Sequence, residues 1–253
     1  MNNELKEATK LMQNRKYTEA AELLQKISAE QLSLTDKIEY EYLMGIYLFE
    51  TTTIDAAMVK FKTCIEIVKN NNLEYNLTNI YYEISIAYFR LYMQNGDRTN
   101  LKYSSNYCKQ ALDIALNNSI VVKTGGLMVY AEESPESYIN MFIHLGVLYQ
   151  TMKKLDESIT ILHVAKTICQ HFSRLDLLGQ VYDELGTSYM FLGESELAGY
   201  YFVKSVKAKE IINNRKGIEI SIQKHILCTL SNPHSFESKE QIRLQNLVLK
   251  ERI

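Results

Sequence analysis

LGVLYQTMKKLDESITILHVA, residues 145–165, is repeated in pattern 40 positions later as LGTSYMFLGESELAGYYFVKS, residues 185–205. Each copy opens on Leu-Gly with a Tyr three residues after the Gly. Each then carries a small residue, a large apolar residue four positions later and a second small residue three after that, as in Ser158, Leu162 and Ala165. A fixed period of this length indicates an array of one repeated supersecondary unit.

The same pattern extends towards both ends of the chain. Gly45 and Ser85 have the same spacing, a shorter copy precedes them around Ala8 and Ala20, and a helix near Ile226 falls one full period after Gly186. Two antiparallel helices approach closely where a small side chain lies at their crossing, and large neighbours fill the groove on either side. The pattern therefore predicts helix hairpins that stack because none can bury both of its apolar faces alone.

Crossings are predicted between Gly146 and Ser158 and between Gly186 and Ala198. Periodicity and turn residues predict twelve helices, near 2–13, 17–29, 36–50, 54–71, 74–94, 100–118, 136–152, 155–172, 175–192, 195–213, 217–230 and 237–251.

With Gly146, Tyr149, Leu155, Ser158 and Leu162 as the best single copy, the chain resembles the tetratricopeptide repeat family. The resemblance implies an all-α fold: a right-handed superhelical solenoid of about five to six helix hairpins. We expect one solenoid domain over residues 1–253, closed by a C-terminal capping helix over about 236–251. The period of 40 exceeds that of the usual unit, so longer helices or turns are expected.

An irregular insertion at residues 117–134 breaks the period, because Gly146 follows Ser85 by about one and a half periods instead of one. Its β-branched residues flank a Gly-Gly pair, which predicts either a short β-hairpin or a mobile loop. Two roles stay open: a tolerated insertion, or an arm that contacts a partner or closes over the binding surface.

Composition excludes several classes of protein. The chain has 253 residues, 46% of them hydrophobic, a formal net charge of −2, and only 10 Gly and 2 Pro. Concentrated positive charge, which nucleic acid binding requires, is missing, so no direct nucleic acid binding is expected. No apolar run approaches the roughly 20 residues that cross a bilayer. Four widely spaced cysteines without a secretory signal are expected to be buried, reduced thiols in a cytoplasmic protein.

Chemistry-bearing residues do not form a recognisable active site. The five histidines show no pairing at metal-ligand spacing, Cys169 and His171 fall on different faces of a helix, and no serine nucleophile motif occurs. We therefore predict a protein that is not an enzyme and that uses no cofactor and no metal.

Function is expected on the concave surface, which the first helix of each hairpin lines. On each first helix, the residues predicted to line this surface lie six and three positions before the small residue of that helix and one and four positions after it. Carboxamides, which offer a donor and an acceptor together, recur at the first of these positions. Arg90 lies one residue beyond the last of these positions on its helix and is predicted to pair with a ligand carboxylate. The predicted peptide-binding groove comprises Tyr42, Asn79, Tyr82, Arg90, Asn140, Ile143, Val147, Gln150, Gln180, Asp183, Thr187 and Gln223.

The amide-lined groove also resembles, more distantly, the peptide-binding domains of Rap/NprR/PlcR-type cytosolic quorum-sensing receptors. This second resemblance implies that Asn79, Asn140 and Gln180 grip a short signalling peptide. We expect a regulatory sensor that holds an extended peptide or partner segment; the alternative is a static scaffold without a ligand switch. The expected partners are peptides or proteins rather than membranes, and a homodimer is compatible with the pattern.

Overall fold

The computed structural model describes residues 3–117, 121–124, 127–130 and 135–231. These residues form eleven α-helices, one 3-10 turn and one two-stranded sheet. The helices are α1 (Asn3–Gln13), α2 (Tyr17–Leu24), α3 (Leu34–Thr51), α4 (Ile54–Asn70), α5 (Thr78–Asn95), α6 (Arg98–Asn117), α7 (Glu136–Thr151), α8 (Leu155–His171), α9 (Leu175–Leu192), α10 (Ser195–Ile211) and α11 (Arg215–Ser231). The predicted all-α fold is confirmed.

Eleven of the twelve predicted helices are present. The twelfth, the capping helix at 236–251, lies outside the described residues. The largest difference at a helix start is at α5, which begins at Thr78 instead of residue 74. The side chain of Asn76 accepts a hydrogen bond from the Thr78 amide at 2.9 Å, and this local turn competes with helix just before α5.

The helices pack as antiparallel hairpins in two compact units. The first unit ends at Asn117 and contains the hairpins α1–α2, α3–α4 and α5–α6. The second contains α7–α8 and α9–α10, with α11 packed against α10. We call α1, α3, α5, α7, α9 and α11 first helices, and the others second helices.

Small residues join the two helices of at least two hairpins, and one of these contacts, Gly146 with Ser158, was predicted. The Ser158 hydroxyl donates to the Gly146 carbonyl oxygen at 2.9 Å. In the α5–α6 hairpin, the hydroxyls of Ser85 and Ser104 each donate to the other residue's carbonyl oxygen at 2.7 Å. Such contacts require backbones too close for a large side chain, so the recurring small residue is a packing requirement.

The second unit has a regular turn at every half period. In the second unit, residues 153, 173, 193 and 213 all have a positive φ, between 54° and 89°. These positions are evenly spaced at half the repeat period, so each helix with its turn makes up half of a repeat. Only Gly193 adopts this conformation without steric cost. The lengthening relative to the usual repeat lies in the helices, which have 16 to 18 residues from α7 to α10.

The insertion contains a β-hairpin, one of the two structures expected for it. Strand β1 (Val121–Thr124) pairs antiparallel with β2 (Leu127–Tyr130), with Val121 opposite Tyr130. The four cysteines, Cys64, Cys108, Cys169 and Cys228, are free and buried, as predicted. Among the described helices, none is long and apolar enough to cross a membrane.

Candidate peptide-binding surfaces

In the first unit, the first helices carry Tyr42, Asn79 and Tyr82. Asn79 is exposed, whereas the two tyrosines are half-buried. The ring of Tyr42 packs against Phe61 of α4, with 6.1 Å between centroids. Burial raises the pKa of both phenols above its ordinary value, and nearby Glu83 adds to the effect. Both hydroxyls are therefore neutral hydrogen-bond donors at physiological pH.

Arg90 has intramolecular partners. Its guanidinium lies 3.9 Å from the ring centroid of Phe49 and 3.1 Å from a carboxylate oxygen of Glu50. Both partners belong to α3, so these contacts join α3 to α5 within the unit. The side chain of Arg90 stays 45% exposed, and exposed ion pairs are weak. Exchange of Glu50 for a ligand carboxylate therefore requires little free energy.

Two carboxyl groups near these residues have altered proton affinities. Burial raises the pKa of Glu83 to about 7, and the negative charge of Glu50 acts in the same direction. Burial also raises the pKa of Glu39, partly opposed by its hydrogen bond from Thr9. Glu83 was missed by the sequence pattern, because it lies two residues before Ser85 and outside the predicted positions. Its protonation depends on packing between α3 and α5, which the sequence does not display.

In the second unit, five predicted residues remain accessible. Gln180 and Gln223 are exposed, and Asn140, Val147 and Thr187 are half-buried. The Thr187 hydroxyl accepts a hydrogen bond from Lys224 at 3.2 Å. The described residues supply no hydrogen-bond partner to the side chains of Asn79, Asn140, Gln180 or Gln223. These carboxamides are therefore available to a ligand.

Two other predicted residues of this unit are internal, which corrects their assignment to the groove. Ile143 is 3% exposed and Gln150 is 5% exposed. The Gln150 amide donates to the Glu184 carbonyl oxygen at 2.8 Å and to the Ser188 hydroxyl at 2.9 Å. Gln150 thus uses both of its donor hydrogens on α9 and braces α7 against it.

Asp183 is also internal, in a buried ion pair with Lys209 of α10. Each side chain is only 7% exposed. The second carboxylate oxygen of Asp183 accepts from the Ser221 hydroxyl at 2.8 Å, and the Lys209 ammonium donates to the same hydroxyl at 2.8 Å. Asp183 therefore links α9, α10 and α11 and is not presented to solvent as a groove residue would be.

One rule describes this division. On α7 and α9, positions three before and four after the small residue are buried or half-buried, as for Ile143, Gln150 and Asp183. Those positions face neighbouring helices. Positions six before and one after are exposed or half-buried on α5, α7 and α9. On α7 and α9, the second set is therefore the more accessible one.

The described part of the chain holds no group of three or more His, Cys, Asp and Glu side chains placed to bind a metal ion. His144 is half-buried, and burial lowers its pKa to about 4. It is thus a neutral imidazole at physiological pH.

Stacked hairpins with a small residue at every crossing define the tetratricopeptide repeat fold. Solved structures agree with that assignment. A signal transduction ATPase with numerous domains from Pyrococcus horikoshii, described as having a tetratricopeptide repeat sensor, is 16% identical with a TM-score of 0.77. The apo quorum sensor NprR from B. thuringiensis is 17% identical with a TM-score of 0.68. A Rap protein complexed with competence and sporulation factor is 14% identical with a TM-score of 0.62.

These similarities cover most of this chain and only part of each neighbour. They cover 98%, 95% and 91% of this chain, but 35%, 61% and 58% of the respective solved chains. At such identities the similarity shows the fold alone. No protein-family model matches the sequence, and no curated protein is significantly similar to it.

Proposed function

We propose that this chain is a peptide-binding helical repeat module that acts as a regulatory sensor. The observation that carries the proposal is the recurrence of a carboxamide on three first helices, as Asn79 in the first unit and as Asn140 and Gln180 in the second. Each lies six residues before the small residue of its helix, and each is without a partner among the described side chains. A carboxamide matches the alternating N–H and C=O groups of an extended peptide.

Fold similarity supports this choice of ligand. One of the similar structures is NprR in complex with its cognate peptide, 17% identical to this chain with a TM-score of 0.62. The accessible predicted residues on the same first helices are Tyr82, Val147 and Thr187, which offer apolar contact and hydrogen bonding. We propose binding without catalysis, in the cytoplasm, where free thiols such as the four buried cysteines persist.

A static protein scaffold is the second candidate function. The bonds of Gln150 to α9 and the ion pair between Asp183 and Lys209 lock successive helices of the second unit together. Such internal bracing favours a surface that binds a partner without changing its own geometry. The two candidates differ in whether a short peptide alone binds and alters the protein.

Thermal melting of the full chain with pools of short peptides tests the proposal. A ligand at 100 times its Kd stabilises the folded state by about 2.7 kcal/mol, which raises the melting temperature by about 5–10 °C for a chain of this size. Asn140→Ala and Asn79→Ala should each weaken binding by about 0.5–1.5 kcal/mol and leave the melting temperature of the free protein unchanged.

Gln170→Ala is the matched control, because Gln170 is an exposed carboxamide on the second helix α8. It should bind peptide as the unmodified chain does. A pool that stabilises all three variants equally would refute the carboxamide assignment. Absence of any stabilising peptide, together with capture of a folded protein partner, would favour the scaffold.

A further inference from the structure

The first unit has a cavity between its second helices, whereas the candidate carboxamides lie on first helices. It has a volume of about 270 Å³ and lies where α4, α5 and α6 meet. Its lining includes Lys62, Glu66 and Lys69 of α4, Tyr81 of α5, and Tyr107 and Gln110 of α6. We call this cavity the tyrosine furrow. None of its residues belongs to the carboxamide surface, so it stands independently of the proposed function.

A row of four aromatic rings leads into the furrow. Tyr81 and Tyr107 have centroids 5.8 Å apart, Tyr107 and Tyr88 are stacked at 5.7 Å, and Tyr88 and Tyr103 lie 5.1 Å apart. The rings are only partly shielded from solvent: Tyr81, Tyr88 and Tyr107 are half-buried, and Tyr103 is 47% exposed. Partly exposed rings at these separations can each make a further aromatic contact.

The second unit has tyrosine rings at equivalent positions, but there other side chains of the same unit lie over them. Counted from the small residues, Tyr182 and Tyr201 are equivalent to Tyr81 and Tyr107. Lys204 occupies the position of Gln110 and places its ammonium 5.9 Å from the ring centroid of Tyr182 and 5.0 Å from that of Tyr200. Tyr182 and Tyr201 are only 6% and 8% exposed, and Tyr201 also contacts Tyr200 and, from α8, His163. In the first unit, Gln110 stands in place of Lys204 and Asn106 in place of Tyr200, both of them shorter, and the equivalent rings are half-buried.

The volume of the open furrow limits what it can bind. Pockets for drug-sized ligands measure about 300–1,000 Å³, and a cavity of about 150 Å³ is enough for benzene. The furrow therefore fits one aromatic side chain rather than a whole small molecule.

The charged residues of the furrow favour particular residues on either side of the bound aromatic side chain. Lys62 and Lys69 are exposed, two helical turns or about 10.5 Å apart along α4. Neither has an ion-pair partner among the described residues. In an extended chain, the residues two before and two after a given residue point to the same side as that residue and lie about 13 Å apart, a span that flexible lysine side chains can bridge. Two carboxylates on either side of the ring would thus meet both ammonium groups, which outnumber the single carboxylate of Glu66 in the lining.

We propose that the tyrosine furrow binds an aromatic side chain within an acidic, extended segment of a partner protein. Tyr81 and Tyr107 contact the ring, and Lys62 and Lys69 pair with the flanking carboxylates. The interaction is a weak docking contact, since a single ring and two exposed ion pairs bury little area.

Selection of a phage-displayed library of random peptides on the full chain tests this. Peptides with Phe, Tyr or Trp between acidic residues should be enriched. The enrichment should fall at least tenfold on the double variant Lys62→Glu/Lys69→Glu. It should persist on Lys102→Glu, an exposed lysine of α6 outside the furrow.

A second variant separates occupancy from charge. Asn106→Tyr/Gln110→Lys copies the residues that cover the rings of the second unit, and it makes the furrow more positive. It should lose the same peptides because the furrow is filled; increased enrichment would show simple charge attraction and overturn the proposal. Identical peptides recovered on the unmodified chain and on Lys62→Glu/Lys69→Glu would also overturn it. Peptides that bind the carboxamides should be recovered on all of these proteins, so failure of either proposal is recognised separately.

Discussion

Substitution of Gly186 by Ala tests the packing on which the repeat depends. A Cβ atom at this position would lie 2.6 Å from a ring carbon of Phe202, the large residue of α10 at the crossing. Carbon atoms in favourable contact are about 3.5–4.0 Å apart, so α9 and α10 must separate by about 1 Å or the ring must move. Phe202 is completely buried, which leaves it little freedom to rotate.

Two opposing contributions set the expected magnitude. Gly to Ala in a helix interior stabilises by about 1 kcal/mol, whereas overpacking costs about 1–3 kcal/mol. Gly186→Ala should therefore destabilise by up to about 2 kcal/mol. In the Phe202→Ala background the clash is absent, and the same substitution should stabilise by about 1 kcal/mol. The double-mutant cycle thus predicts a coupling energy of about 2 kcal/mol.

Urea denaturation of the four proteins measures this coupling from midpoints and slopes. Phe202→Ala alone should cost about 3–5 kcal/mol. If Gly186→Ala stabilises the unmodified chain, or if the coupling energy is below about 0.5 kcal/mol, the close crossing is not what selects glycine.

Two further predictions concern buried charges. Lys209→Met should lower the free energy of unfolding, measured in urea, by about 3–5 kcal/mol because it leaves Asp183 buried without a cation. The double variant Lys209→Met/Asp183→Leu should recover much of this loss. A loss below about 1 kcal/mol in Lys209→Met alone would contradict a stabilising role of the ion pair. The two units should respond oppositely to pH. As pH rises from about 4.5 to 7, the first unit should lose up to about 3 kcal/mol, since folded Glu83 holds its proton until about pH 7. As pH falls from about 6.5 to 4, the second should lose a similar amount, since folded His144 resists protonation until about pH 4. Amide hydrogen exchange at several pH values, resolved on proteolytic fragments of each unit, measures both stabilities. If both units gained or lost stability together, the assignment of these pKa shifts to Glu83 and His144 would be refuted.

Sequence periodicity predicts the helices and their crossings because both follow from local rules. The contact of Ser158 with Gly146 needs only the positions of small residues and the antiparallel order of neighbouring helices. The β-hairpin at residues 121–130 was one of two expectations, since Gly-Gly between β-branched residues suits either a turn or a loop.

The candidate site was predicted less completely. The position of a residue along its helix shows on which face of the helix it lies, but it does not show which faces a neighbouring helix covers. Gln150 and Asp183 were predicted in the groove because their register is correct, yet both are buried by bonds to other helices. The tyrosine furrow was not predicted either, because it depends on which side chains cover the rings, such as Gln110 in the first unit against Lys204 in the second.

The arrangement of buried and accessible positions explains how such distant chains share a fold. Solved neighbours are only 12–17% identical, although the similarity covers 78–98% of this chain. Crossings such as Gly186 with Phe202 constrain a few positions per hairpin, and first-helix contacts such as that of Gln150 constrain a few more. At positions such as those of Asn140 and Gln180 the side chain makes no hydrogen bond to the described residues, so on the proposed function substitutions there should change what is bound without changing the fold. The ligand therefore has to be determined from those accessible positions, by measuring binding to variants that leave stability unchanged.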